Sequence, residues 1–195
     1  MIITFVLLLI IATKIIVYAD EIPTPVYPGS LSSGITNISY WYEGSLNMQN
    51  YYASKIVNAA NDWNTKSSKI STFYKANNVL TSRIDFYVKS NGFYILNSNI
   101  LALTQMYATK DGTSNLGNPQ DGQFLYDWNY VKVFINNSTM LSITANGRQG
   151  TLAHEIGHAL GLSHSTNNNS IMSTYANRNV QTVQNVDITA LHGKY

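Results

Sequence analysis

Residues 151–175 read TLAHEIGHALGLSHSTNNNSIMSTY, and three of the chain's four histidines fall within HEIGHALGLSH. His154 and His158 are four residues apart. On a helix, four residues turn about 400° and rise about 6 Å, so both imidazoles leave the same face, one turn apart. That separation suits two nitrogens each about 2 Å from a single zinc ion. Gly161 falls where the helix must stop, and a glycine there takes positive φ and turns the chain sharply. Three residues later, His164 returns to the same metal from outside the helix. Three neutral imidazoles leave the fourth position of a zinc ion for water.

Glu155 lies about 100° round the helix from His154, so it flanks the metal. From there it can hydrogen-bond a water whose pKa zinc lowers toward about 7. It can take that water's proton and pass it to a leaving amine, while the metal stabilises the oxyanion. Those roles amount to hydrolysis of a peptide bond. Five fixed positions matching by chance in about 185 windows has odds of roughly one in ten thousand or less. The rival reading is a non-catalytic zinc module whose metal holds the fold while its surface binds a partner. Structural zinc usually has four protein ligands and needs no adjacent carboxylate. No fourth ligand is evident in the sequence, so Glu155 favours the enzyme.

His154, Glu155, His158, Gly161 and His164 resemble the HExxHxxGxxH zinc signature of the metzincin metallopeptidases. Ser170-Ile171-Met172-Ser173 resembles their methionine turn, with Met172 eight residues after His164. Within the metzincins the chain resembles the matrixins, the matrix-metalloproteinase type. The likeness rests on chain length, an early strand followed by a helix bearing Trp63, the short link from His164 to Met172, and Asp187-Ile188 at the last helix. It implies an α+β domain: a twisted mixed sheet, a long first helix, an active-site helix, a Met-turn and a C-terminal helix. It also implies one catalytic zinc on His154, His158 and His164, Glu155 as general base, and protein or peptide substrates.

The same resemblance assigns roles to other residues. The residue four before the first zinc histidine helps form the pocket for the substrate residue just past the cleaved bond. Here it is Gly150, which implies a deep pocket and a large apolar preference. Substrate in the resembled fold lies along an edge strand, for which Leu101–Tyr107 is the candidate. A tyrosine two residues past the turn methionine serves the zinc in some metzincins. Here Tyr175 is three past it, and a packed or substrate-facing role is favoured. Matrixins usually carry a second zinc on three histidines and an aspartate; only His192 remains, so none is expected. Calcium is common in the family, and Asp111 and Asp121 are candidate ligands. Latency through a propeptide cysteine is not expected, because the chain has no cysteine.

The rest of the chain must position these groups. Its 195 residues, 45% hydrophobic, suffice for one cored domain. Formal charge is only +2 and charged residues make up 11%, without a basic patch for nucleic acid. A monomer is expected. Absence of cysteine excludes disulfides, a thiol nucleophile and thiolate zinc sites. Alternation predicts strands over 35–42, 70–74, 84–88, 100–107 and 130–136. Helical spacing predicts helices over 47–66, 147–160, with Asn146 as cap, and 186–192. Residues 110–123, dense in Gly, Asn and Asp, read as a loop.

The first residues, MIITFVLLLIIATKIIVYAD, hold an apolar run of eleven from Ile2 to Ala12, short for a membrane span. Val17-Tyr18-Ala19 resembles a signal-peptidase site, so residues 1–19 are expected to be a signal peptide. The mature protein would be secreted, begin at Asp20 and keep no stable membrane association. Residues 20–34, with three of the four prolines, read as an extended leader. The catalytic domain is expected over 35–195, with the leader able to lie in the cleft.

Overall fold

The computed structural model describes residues 23–90, 99–111, 114–117, 124–174 and 178–195. The apolar N-terminal run and its cleavage site lie outside the described residues. Strand β1 (Asn37–Tyr42) leads through a π-helical turn (Met48–Tyr52) into α1 (Ala53–Lys66) and on to β2 (Thr72–Lys75). Then come β3 (Ile84–Lys89), β4 (Ala102–Tyr107), β5 (Asn115–Gly117) and β6 (Tyr130–Asn136). Helices α2 (Asn137–Leu141), α3 (Ala145–Ala159) and α4 (Asn185–Lys194) complete the chain. The architecture is α+β with a mixed sheet, as expected.

The six strands form one sheet in the order β2-β1-β3-β6-β4-β5. β2, β1, β3 and β6 run parallel, and β4 and β5 are antiparallel to their neighbours. Alternate residues enter the core: Val131, Val133 and Ile135 from β6, and Ile84 and Phe86 from β3. Ile56, Ala59, Ala60 and Trp63 of α1 meet Leu152, Ala153, Ile156 and Ala159 of α3 in the same core. Small alanines let these helices approach, and the Trp63 indole N–H donates to the Ala153 carbonyl at 3.0 Å.

Four expectations need adjustment. The helix expected from Asn47 is one continuous rod whose first turn is π-wound. The cap of α3 is Thr144, whose hydroxyl accepts from Gly147 N–H at 3.0 Å, and the helix starts before Asn146. Within the expected 110–123 loop, Asn115–Gly117 forms β5 and pairs with Met106 and Tyr107. β4 is therefore not a bare edge: its Ala102–Gln105 half alone has no outer strand partner among the described residues.

Residues 23–34 are extended and pack onto the rest of the domain. Tyr27 is 1% exposed and Leu31 2%. Ser163 N–H donates to the Pro25 carbonyl at 2.8 Å and Tyr27 N–H to the Gly161 carbonyl at 2.9 Å. Lys194 Nζ donates to the Tyr27 and Gly29 carbonyls at 2.7 and 2.6 Å. The described part of this segment thus packs behind the histidine helix and against α4.

Candidate metal centre and cleft

His154 and His158 project from adjacent turns of α3, and Gly161 ends that helix at φ 100°. Leu162 N–H donates to the Gly157 carbonyl and Gly161 N–H to the His158 carbonyl, both at 2.9 Å. This pair of bonds is the Schellman arrangement, which only a left-handed residue at Gly161 completes. The chain then turns back to bring His164 beside the helix. Ser165 N–H donates to the Met172 carbonyl at 2.9 Å, tying the His164 segment to the turn that follows. The ligand atoms of His154, His158 and His164 lie within 4.8 Å of one another, the one such cluster among the described residues.

The donor set fits a metal on a stricter test than proximity. His154 Nδ1 lies 2.9 Å from the Ile171 carbonyl, and His158 Nδ1 lies 2.9 Å from the Leu162 carbonyl. A carbonyl oxygen only accepts, so each Nδ1 must carry the proton. Each Nε2 then keeps a free lone pair, the tautomer a metal ligand requires. Burial holds His158 neutral, lowering its pKa to about 3, with the charge of His164 adding to the effect. His154 lies well below its ordinary value for the same first reason, reinforced by His158, Arg178 and His164. These residues fit zinc, which takes neutral imidazole nitrogen readily.

Glu155 is 6% exposed. The Thr104 hydroxyl, on the inward face of β4, donates to its Oε2 at 2.6 Å. Burial raises the Glu155 pKa to about 7, against the Thr104 bond and the nearby Arg178 charge. A cleft of about 400 Å³ opens there, lined by residues that include Asn99–Ala102, His154, Glu155, His164 and Arg178. A smaller hollow of about 190 Å³ continues along Ala102–Thr104 past His158. The cleft therefore follows β4 across the histidine cluster.

Met172 is fully buried, with its sulfur against Gly157 of α3. A Cβ on Gly157 would collide with its sulfur and come 3.2 Å from the Trp63 ring, so Gly157 lets the turn sit tight against α3. Asp187, fully buried at the start of α4, anchors that turn. It accepts from Ile171 N–H at 3.0 Å, Ser170 Oγ at 2.5 Å and Thr24 Oγ1 at 2.9 Å.

The remaining sequence candidates divide. The space above Gly150 is not an empty deep pocket. A Cβ there would strike the Gln181 side-chain oxygen and lie 2.8 Å from Arg178 Nη2, so those two side chains occupy the room. Tyr175 lies outside the described residues, as does Asp121. The Asp111 carboxylate accepts from Thr109 Oγ1 at 2.6 Å. His192 Nε2 lies 2.9 Å from Ser67 Oγ. Thr104, Asp187, Arg178 and Tyr27 were not singled out by sequence reasoning as site residues; each reaches the centre only through the tertiary fold.

Among the described residues no helix is long and apolar enough to cross a membrane. No curated protein matches the chain. The Matrixin family model matches residues 46–195, more than three-quarters of the sequence and all of the histidine cluster. The chain belongs to the matrixins, a family of zinc metallopeptidases.

Proposed function

We propose that this matrixin is a secreted, monomeric zinc endopeptidase in which His154, His158 and His164 hold one zinc and Glu155 is the general base. The observation carrying this reading is the pairing of three imidazoles, two with Nδ1 protons fixed on carbonyls, with a buried carboxylate on the same helix. When bound, zinc supplies a Lewis acid that acidifies a water and polarises a peptide carbonyl. Glu155 takes the proton of the attacking water and returns it to the nitrogen of the leaving amine. Thr104 donates to Oε2, which holds the carboxylate in place and leaves Oε1 for the proton transfer. Burial, by raising the proton affinity of Glu155, suits it to hold that proton between the two transfers.

Substrate protein or peptide lies extended, its backbone bonding to the Ala102–Gln105 edge of β4, which has no outer strand partner among the described residues. Secretion rests on the apolar run at 2–12 and the Val17-Tyr18-Ala19 site, with residues 1–19 removed. A chelator should abolish cleavage of a quenched-fluorescence peptide pool, and zinc should restore it. His154→Ala should lose both bound zinc and cleavage. Zinc-independent cleavage by that variant would overturn the reading.

A further inference from the structure

Arg178 is 6% exposed, and its guanidinium lines the larger cleft beside Glu155. Among the described residues it makes no ion pair, and its Nε and Nη2 have no hydrogen-bond partner. Gln181 Oε1, in the same wall, is also buried without a partner. Buried polar groups are nearly always satisfied, and a buried charge without a partner is costly enough to demand a reason. Burial lowers the Arg178 pKa only to about 10, so the cation persists at neutral pH, with the Glu155 and Asp187 charges supporting it. Gly150 is what admits it, because any side chain there would overlap the guanidinium and Gln181.

We infer that Arg178 is a specificity-determining residue that receives a substrate carboxylate, so that this enzyme favours Asp or Glu immediately after the cleaved bond. The inference rests on the peptidase reading above and on the pocket beside Gly150 that the matrixin resemblance gives to that residue. Nε and Nη2 are themselves enclosed, so a carboxylate entering the cleft meets the guanidinium beside Glu155, and a small turn of that group presents the unpartnered Nε–Nη2 edge, the pair arginine uses for bidentate binding. The same contact would neutralise the buried charge. A large apolar side chain in that place would leave Nε and Nη2 orphaned. The apolar preference expected from Gly150 alone is thereby reversed: the glycine makes room for a cation, not for a hydrophobic side chain.

Peptides differing only in that position, as Glu, Gln or Leu, test this on the mature zinc-loaded enzyme. Wild type should cleave the Glu peptide with kcat/KM about 10- to 100-fold above Gln and Leu, the effect of one charge-assisted bond in a buried site. Arg178→Met should erase the Glu-over-Gln ratio while Arg178→Lys keeps part of it. Gly150→Ala, by displacing the guanidinium, should also reduce it. Substrates ending at the varied residue, with free or amidated C-terminus, separate a terminal carboxylate from a side-chain one; sensitivity to the terminus alone would overturn the side-chain assignment. A wild-type preference for Leu, or a Glu preference that survives Arg178→Met, would overturn the role of Arg178. Uncleavable short peptides beginning with Glu, Gln or Leu, titrated by calorimetry, keep the two readings distinguishable. Glu-selective, Arg178-dependent binding without any cleavage would sink the peptidase reading and retain the carboxylate site. Binding that ignores the first residue would sink the site.

Discussion

Tyr27 Oη lies 2.8 Å from Nδ1 of His158, and the two rings stack at 6.0 Å. Because Nδ1 already donates to Leu162, the tyrosine oxygen accepts a share of the same proton. A residue 131 positions upstream thus helps hold the His158 imidazole in one tautomer. Loss of an outer-shell partner typically costs about 10- to 100-fold in metal affinity. The Leu162 bond remains in Tyr27→Phe, so about tenfold weaker zinc binding is expected. Competition with a chelator measures it; unchanged affinity would reduce Tyr27 to packing.

The segment carrying Tyr27 also matters for the fold itself. Tyr27 and Leu31 are almost wholly buried, and burial of a large apolar side chain contributes about 1.5–3 kcal/mol. Leu31→Ala should lower stability by about 2–5 kcal/mol, including the cavity left behind. Deleting residues 23–34 should lower the midpoint of thermal unfolding, where a leader lying in the cleft would instead raise activity. An intact fold with higher activity after deletion would contradict the packing described here.

Gly157 separates two opposing effects. Alanine for glycine inside a helix ordinarily gains about 1 kcal/mol. Here the new methyl would press on the Met172 sulfur and the Trp63 ring, and overpacking costs about 1–3 kcal/mol. Gly157→Ala should therefore destabilise the protein and weaken zinc binding, since Met172 and the Ile171 carbonyl share one turn. Denaturant unfolding alongside zinc titration measures both, and a net gain in stability would contradict the contact.

What the sequence conveyed and what it did not divide along physical lines. His154, Glu155, His158 and Gly161 were legible because they relate through one helix and its end, where geometry follows from spacing alone. The long hydrophobic periods likewise announced α1, α3 and the strands. Thr104, Asp187 and Arg178 belong to other elements, and their types alone say nothing of where folding takes them. β5 is only three residues long, in a stretch of turn-forming residues that hides its pairing with β4. Tyr27 and Leu31 sit among prolines and serines with no period, so their burial had no local signal. At Gly150 an absent side chain reads as open space until its neighbours, Arg178 and Gln181, are known.

The alkaline limit of stability should come from buried phenols. Burial pushes Tyr52 and Tyr195 up to about 12, from an ordinary 10.0. Their neutral forms favour the folded state fully below the unfolded value of 10.0. That contribution falls away as pH rises from there to about 12. Tyr195 Oη also accepts from Leu31 N–H at 2.9 Å. Unfolding free energy measured across this range should decline, and less steeply in Tyr195→Phe. Ultraviolet titration in which every tyrosine ionises near its ordinary value with the fold intact would refute this.

The most direct test is Glu155→Ala in the mature enzyme, with zinc content and peptide cleavage measured on the same sample. The three histidines remain, so one zinc per chain is expected to stay bound. Cleavage should fall by about 10²- to 10⁴-fold, the usual effect of removing a general base. A zinc-loaded Glu155→Ala protein that cleaves at the wild-type rate would contradict the account.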